Sequence, residues 1–213
     1  TLNNCAGGVT PWGTILSGEE NFNQYFANAG SVTDPATKAR LARYGLSGAA
    51  STRKWERFDK RFDVAQEPNE VNRFGWVVEI DPLDPDSTPV KHTALGRFKH
   101  EGANVIIARD GRVVAYMGDD ERFDYMYKFV SSKKMQPGKD PAAVAHNMTL
   151  LDEGTLYVAK LGSDIPAAEI ENAVGTPDIS RPTSKPSTMP SSLITSFNST
   201  AAAADCRCLG GNS

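Results

Sequence analysis

Cys5 stands among Asn and Gly in the run Asn3-Asn4-Cys5-Ala6-Gly7-Gly8. A thiol there can serve as a metal ligand or a nucleophile. The plainer reading is a small buried residue, because free Cys is among the most buried types, and residue chemistry alone favours that. Carboxylates come grouped at Glu19-Glu20, His100-Glu101 and Asp119-Asp120-Glu121. Hard cations such as calcium take carboxylate oxygens, yet Glu at a strand end is usually just solvated. The 119–121 run is expected to be a solvated turn rather than a calcium cluster. His100 must point away from Glu101 if that segment is extended. His92 and His146 have no such neighbours and are expected at the surface. No Ser or Thr is nominated as a nucleophile.

The elements that position these residues read mainly as strands. Pro11 restricts Thr10 to an extended shape, and Trp12 to Ser17 alternates as a half-buried strand does. Asp34-Pro35 is an N-cap with Pro in the first turn; Ala36 to Tyr44 is then helix-like, and Gly45 stops it. Trp55, Phe58 and Phe62 are spaced for one helical face. This basic stretch, near 34–66, reads as a helical insertion between strands, its Arg and Lys forming a solvated face. Trp76 to Ile80, Val90 to Phe98, Tyr125 to Val130 and Leu156 to Leu161 read as strands. Asp110-Gly111 between apolar runs marks a hairpin. Short strands without alternating helices mean an all-β sandwich, barrel or propeller, and the strand-turn-strand units suit a propeller best.

The chain has 213 residues, 39% hydrophobic and 23% charged, with a formal net charge of -3. One domain with a real core is expected over 1–161. The acidic balance argues against a nucleic-acid partner, whose phosphates need a basic face. No apolar run approaches the length of a membrane span. An odd count of cysteines (Cys5, Cys206, Cys208) is not a disulfide framework. From 162 to 213, Pro, Ser and Thr dominate and no strand pattern survives. That stretch reads as a low-complexity, disordered tail or as non-native coding sequence.

Three stretches, lying within residues 1 to about 161, resemble the PhoX-type alkaline phosphatases. They are Asn3-Asn4-Cys5-Ala6-Gly7-Gly8-Val9-Thr10-Pro11-Trp12-Gly13-Thr14 running on to Gly18-Glu19-Glu20-Asn21, then Gly96-Arg97-Phe98-Lys99-His100-Glu101-Gly102-Ala103, then Tyr116-Met117-Gly118-Asp119-Asp120-Glu121-Arg122 with Tyr127-Lys128-Phe129-Val130. The resemblance implies a six-bladed β-propeller that hydrolyses small phosphate monoesters at a cluster of ferric iron and calcium, secreted or periplasmic, and mostly monomeric. It implies Cys5 as an iron ligand, reversing the plainer reading. It implies Glu20 and Glu101 as metal carboxylates, with Glu19 beside them as ligand, support or plain surface. A thiolate adds charge and a strong ligand on iron, and phosphoryl transfer depends on clamped, neutralised phosphate oxygens.

The family's later aspartate-arginine-proline-glutamate and proline-aspartate-asparagine runs have no match here: Arg181-Pro182 is followed by Thr183, and Pro177-Asp178 by Ile179. The chain is therefore expected to be an incomplete piece, roughly half a propeller with about half the ligands, inactive and poorly soluble alone. Two rival readings remain: a calcium-stabilised propeller that binds without catalysis, and a calcium-dependent lactonase- or phosphotriesterase-like propeller with no role for Cys5.

Overall fold

The computed structural model describes residues 1–122, 124–161 and the backbone of 194–198. Two antiparallel sheets carry it, with consecutive strands as neighbours throughout. The first holds β1 (Asn4–Val9), β2 (Ile15–Glu19), β3 (Val77–Ile80) and β4 (Val90–His92). The second holds β5 (His100–Ile107), β6 (Arg112–Asp119), β7 (Met126–Lys134), β8 (Gly154–Leu161) and β9 (Ile194–Asn198). Neither sheet closes on itself into a barrel. The edge strands β1 and β5 lie against each other across the seam between the sheets.

Period-2 alternation explains the main core. Leu16 and Val77 of the first sheet face Ala103, Val113, Ala115, Met117 and Phe129 of the second, all buried, and Trp12 from the β1–β2 turn joins them. The expected hairpin forms where Asp110-Gly111 stands. Gly111 takes φ 88°, a left-handed conformation that glycine adopts without steric cost.

Between β2 and β3 the chain leaves the sheet. Helix α1 (Pro35–Arg43) starts where the sequence places it, with the Asp34 carboxylate accepting from the Thr37 N–H at 2.8 Å. The rest of the insertion is a set of single turns over a second core of Phe22, Phe26, Leu41, Tyr44, Phe62 and Phe74. Trp55, Phe58 and Phe62 do not share a helical face. Trp55 and Phe62 belong to separate turns and meet edge-on at 5.2 Å, while Phe58 points to solvent at 90% exposure. Spacing alone cannot distinguish a continuous helix from two broken turns.

Other expectations need correction too. Val90 to Phe98 is extended only over β4 and then turns at Thr93–Leu95. Helix α2 (Pro141–Asn147) escaped the sequence reading, although Asp140 caps it beside Pro141 as Asp34 caps α1. His92 is fully buried, not superficial. The backbone of β9 forms a strand where no strand pattern is visible in the sequence. The rest of the proposed tail, 162–193 and 199–213, lies outside the described residues. No helix among the described residues is long and apolar enough to cross a membrane.

Candidate functional site

β1 carries a β-bulge around Cys5 and β5 carries another at Glu101. In β1 the register runs from Asn4 opposite Glu19 to Gly7 opposite Ser17, so one extra residue is accommodated around Cys5-Ala6. In β5 it runs from His100 opposite Asp119 to Gly102 opposite Gly118, so Glu101 is the extra residue. A bulge leaves a residue out of the ladder and re-aims its side chain. The two bulges are adjacent: a Cβ on Gly102 would meet the Cβ of Ala6 at 3.8 Å.

Glycines permit this approach. A Cβ on Gly8 would stand 2.4 Å from the Ala103 carbonyl oxygen, and one on Gly18 would stand 2.3 Å from that of His100. Only hydrogen fits at either position.

The strand ends complete the cluster. Glu20 directly follows β2, and its backbone N–H donates to the Asn3 carbonyl at 3.1 Å. Its carboxyl lies within hydrogen-bonding reach of the Cys5 thiol and of the Asp120 carboxylate. Asp120 directly follows β6, and its N–H donates to the Lys99 carbonyl at 3.1 Å. Each bulge therefore faces an acid one residue beyond the partner strand: Glu20 beside Cys5, and Asp120 beyond Glu101.

The electrostatics are those of crowded anions. Burial, then the Asp120 carboxylate, raises Glu20 above the usual carboxylate range, outweighing the hydrogen bonds from Cys5 and Asn21. The Ala6 backbone N–H draws the Cys5 thiol down. Partial burial, a hydrogen bond with Glu20 and the charges on Glu20 and Glu101 together push it above its ordinary value. A cation among these groups would relieve both. Cys5 itself is exposed.

Glu19 is placed differently from its neighbour. Its side chain is fully buried on the opposite face of β2. Oε1 accepts from the Leu2 N–H at 3.2 Å and from the Lys91 ammonium at 2.7 Å; Oε2 accepts from the Gly75 and Trp76 N–H groups at 3.0 and 3.2 Å. With four donors its lone pairs are occupied, and it fastens the chain's first residues to β3.

A thiolate with carboxylates and no imidazole is a donor set suited in kind to iron and calcium. It does not form a finished shell: among the described residues no three His, Cys, Asp or Glu side chains converge closely enough to hold an ion. An open groove of about 560 Å³ runs alongside, lined by Glu101, Ala6, Asn104, Tyr116, Asp119 and Tyr125 among others.

The acidic run 119–121 is mixed in its fate. Asp119 is held by Arg43 at 3.0 Å and Glu121 by Lys99. Only Asp120 turns to the cluster, where the sequence reading sets the whole run aside as a solvated turn. His100 is fully buried while Glu101 is exposed, so the two side chains lie in different surroundings across the bulge.

A family model described as alkaline phosphatase PhoX matches residues 1–208. The chain belongs to the PhoX alkaline phosphatase family. It is similar to a solved structure described as Pseudomonas fluorescens PhoX in complex with vanadate, a transition state analogue. The two share 53% sequence identity with a TM-score of 0.65, over 75% of this chain and 27% of that one. The chain thus spans about a quarter of that protein's length. Among curated proteins nothing matches. The family expected from the Cys5, His100-Glu101 and Asp119-Asp120 stretches is the family found.

Proposed function

We propose that this chain contributes one part of the centre of a phosphomonoesterase, with Cys5, Glu20 and Glu101 as ligands to iron and calcium. The observation that carries the reading is the pair of adjoining bulges that brings Cys5 and Glu101 to one seam with Glu20 between the strand ends. The vanadate named for the similar Pseudomonas protein supports phosphoryl transfer as the chemistry. When bound, the cations would neutralise phosphate oxygens and supply an oxygen nucleophile in line with the leaving group.

The chain's own residues then have separate tasks. Cys5 and Glu20 sit close enough to share one cation, which would offset the negative charges of Glu20, Glu101 and Asp120 crowded around them. Glu101 approaches the seam from the second sheet and borders the groove through which an ester would approach. Glu19, saturated by four donors, holds the β2 end in position rather than binding an ion.

The two sheets are read as adjacent blades of a propeller, with β1 and β5 as innermost strands lining its channel. Their edge-to-edge seam supports that reading. The remaining ligands come from residues beyond those gathered at this seam. The same family reading assigns small phosphate monoesters as substrates and an exported, periplasmic or secreted location.

The test uses the intact protein with Cys5→Ala and Glu20→Gln variants. Iron content, the thiolate-to-iron charge-transfer absorption and hydrolysis of p-nitrophenyl phosphate are measured together. The reading expects all three to fall in Cys5→Ala while the fold persists. Unchanged iron and activity in that variant would make Cys5 a structural thiol and sink it.

A further inference from the structure

The helical insertion does more than cover the second core. Arg43, in the last turn of α1, points its guanidinium at the turn between β6 and β7. Nη2 lies 3.0 Å from an Asp119 oxygen and Nη1 lies 3.2 Å from an Asp124 oxygen. These aspartates are the two ends of the turn 119–124, and the turn carries Asp120.

The surroundings make that contact exacting. The Asp119 side chain has no solvent exposure, and its other oxygen accepts from the Lys99 N–H at 3.3 Å. Lys99 also accepts the Asp120 N–H at its carbonyl and pairs through its ammonium with Glu121. The segment from Lys99 to Glu101 and the turn 119–124 are thus tied together. Arg43 is the cation that bridges the turn's two ends, and its planar fork suits two carboxylates at once.

We propose that Arg43 is a positioning residue for the centre at the seam: by bridging Asp119 and Asp124 it holds Asp120 against Glu20 and keeps the β6 end registered on the Glu101 bulge. This inference rests on reading that centre as a metal site. Without the guanidinium, Asp119 is a buried carboxylate stripped of its cation, with Asp120 and Asp124 close by in the same turn. Like charges then drive the turn open. Asp120 leaves Glu20, and the acids facing the two bulges no longer share a fixed geometry. Residues behind metal ligands act this way, and their loss costs about 10- to 100-fold in metal affinity.

The experiment compares intact wild type with Arg43→Gln, Arg43→Lys and Asp124→Asn. Calcium affinity is measured by calorimetry, the thiolate-to-iron band by absorption, and exchange of the Asp120 amide by hydrogen–deuterium exchange in metal-free protein. Arg43→Gln is expected to weaken calcium binding about 10-fold or more, to shift the band, and to speed exchange at Asp120. Arg43→Lys is expected to restore part of each, because an ammonium can still pair with one aspartate. Wild-type affinity, band and exchange in Arg43→Gln would overturn the proposal. Should Arg43→Gln fail to fold, Asp124→Asn carries the test, since it removes one anchor and leaves the Asp119 pair; unchanged exchange there would overturn it equally. If wild type itself binds neither ion, the metal reading of the centre fails. The Asp120 exchange rate then still decides whether Arg43 holds the turn.

Discussion

His92 and Glu79 bind each other where neither reaches solvent: Nε2 of the imidazole lies 2.6 Å from Oε2 of the carboxylate. The other ring nitrogen lies 2.7 Å from Oδ1 of Asp152, in the loop before β8. The second Glu79 oxygen accepts from the Trp12 indole N–H at 2.7 Å and from the Thr14 hydroxyl. With a carboxylate at each nitrogen the surroundings favour the protonated ring, which can donate to both. It thereby joins the first sheet to the second.

Burial disfavours the His92 charge, but hydrogen bonds and attraction from Glu79 and Asp152 outweigh it, so its pKa is raised. A raised folded-state value contributes stability that is complete below about pH 6.5 and is lost as pH rises through the folded pKa. Urea unfolding from pH 5 to 9 is expected to show falling stability on the alkaline side. His92→Gln is expected to flatten that limb and to cost roughly 3–5 kcal/mol at low pH, the cost of breaking a buried pair. An unchanged alkaline limb in the variant would rule out His92 as its source.

His100 has the opposite sign. It is fully buried, its Nε2 donates to the Gly96 carbonyl at 3.0 Å, and its Nδ1 has no hydrogen-bond partner among the described residues. Loss of solvent lowers its pKa to about 4, only partly offset by the Gly96 carbonyl. Stability tied to the neutral ring is complete above about pH 6.5 and is lost as pH falls toward 4. Across that window it amounts to about 3 kcal/mol. His100→Phe, which can keep the 3.6 Å stack on Phe98, is expected to shift acid unfolding to lower pH. Acid unfolding at the wild-type pH would count against this role.

Strand periodicity and turn chemistry made most of the fold legible. Leu16, Val77 and Phe129 announce a buried face, and Asp110-Gly111 announces a hairpin. The site was legible through its motifs, not through spacing: nothing local marks Cys5 or Glu101 as bulged, because a bulge is a property of two paired strands. His92 was unreadable for a related reason. Its partners Glu79 and Asp152 are 13 and 60 residues away, and only the packing of two sheets brings them together. The Arg43 contact spans 76 residues to Asp119 and was hidden within a basic stretch that read as solvated.

Gly18 sets the distance between the sheets at the cluster. A methyl there would sit 2.3 Å from the His100 carbonyl oxygen and 2.8 Å from its Cβ. Gly18→Ala is therefore expected to force β2 from β5, costing about 1–3 kcal/mol in overpacking, and to weaken calcium binding by separating Glu20 from Glu101. Gly118→Ala, where a Cβ would meet nothing within 4 Å, is expected to stay within about 0.5 kcal/mol of wild type. Thermal melting with calcium calorimetry on both variants checks this. Equal behaviour of the two would mean that close approach at Gly18 is not limiting.

Cys5 reports the local field directly. The thiol is exposed, so access does not limit its chemistry; against the pull of the Ala6 N–H, partial loss of solvent and then Glu20 and Glu101 hold it above its ordinary pKa and keep the reactive thiolate scarce at neutral pH. In metal-free protein at pH 7, iodoacetamide is expected to label Cys5 more slowly than a free cysteine peptide. Glu20→Gln removes the nearer charge and is expected to accelerate labelling several-fold. Peptide mass spectrometry separates Cys5 from Cys206 and Cys208. Added calcium should act in the same direction as Glu20→Gln if the ion sits between the carboxylates, because it cancels the same charge, and should slow labelling if the ion covers the sulfur. Equal labelling rates in metal-free wild type and Glu20→Gln would show that Glu20 does not govern the thiol, and would break the link between the two residues on which the centre depends.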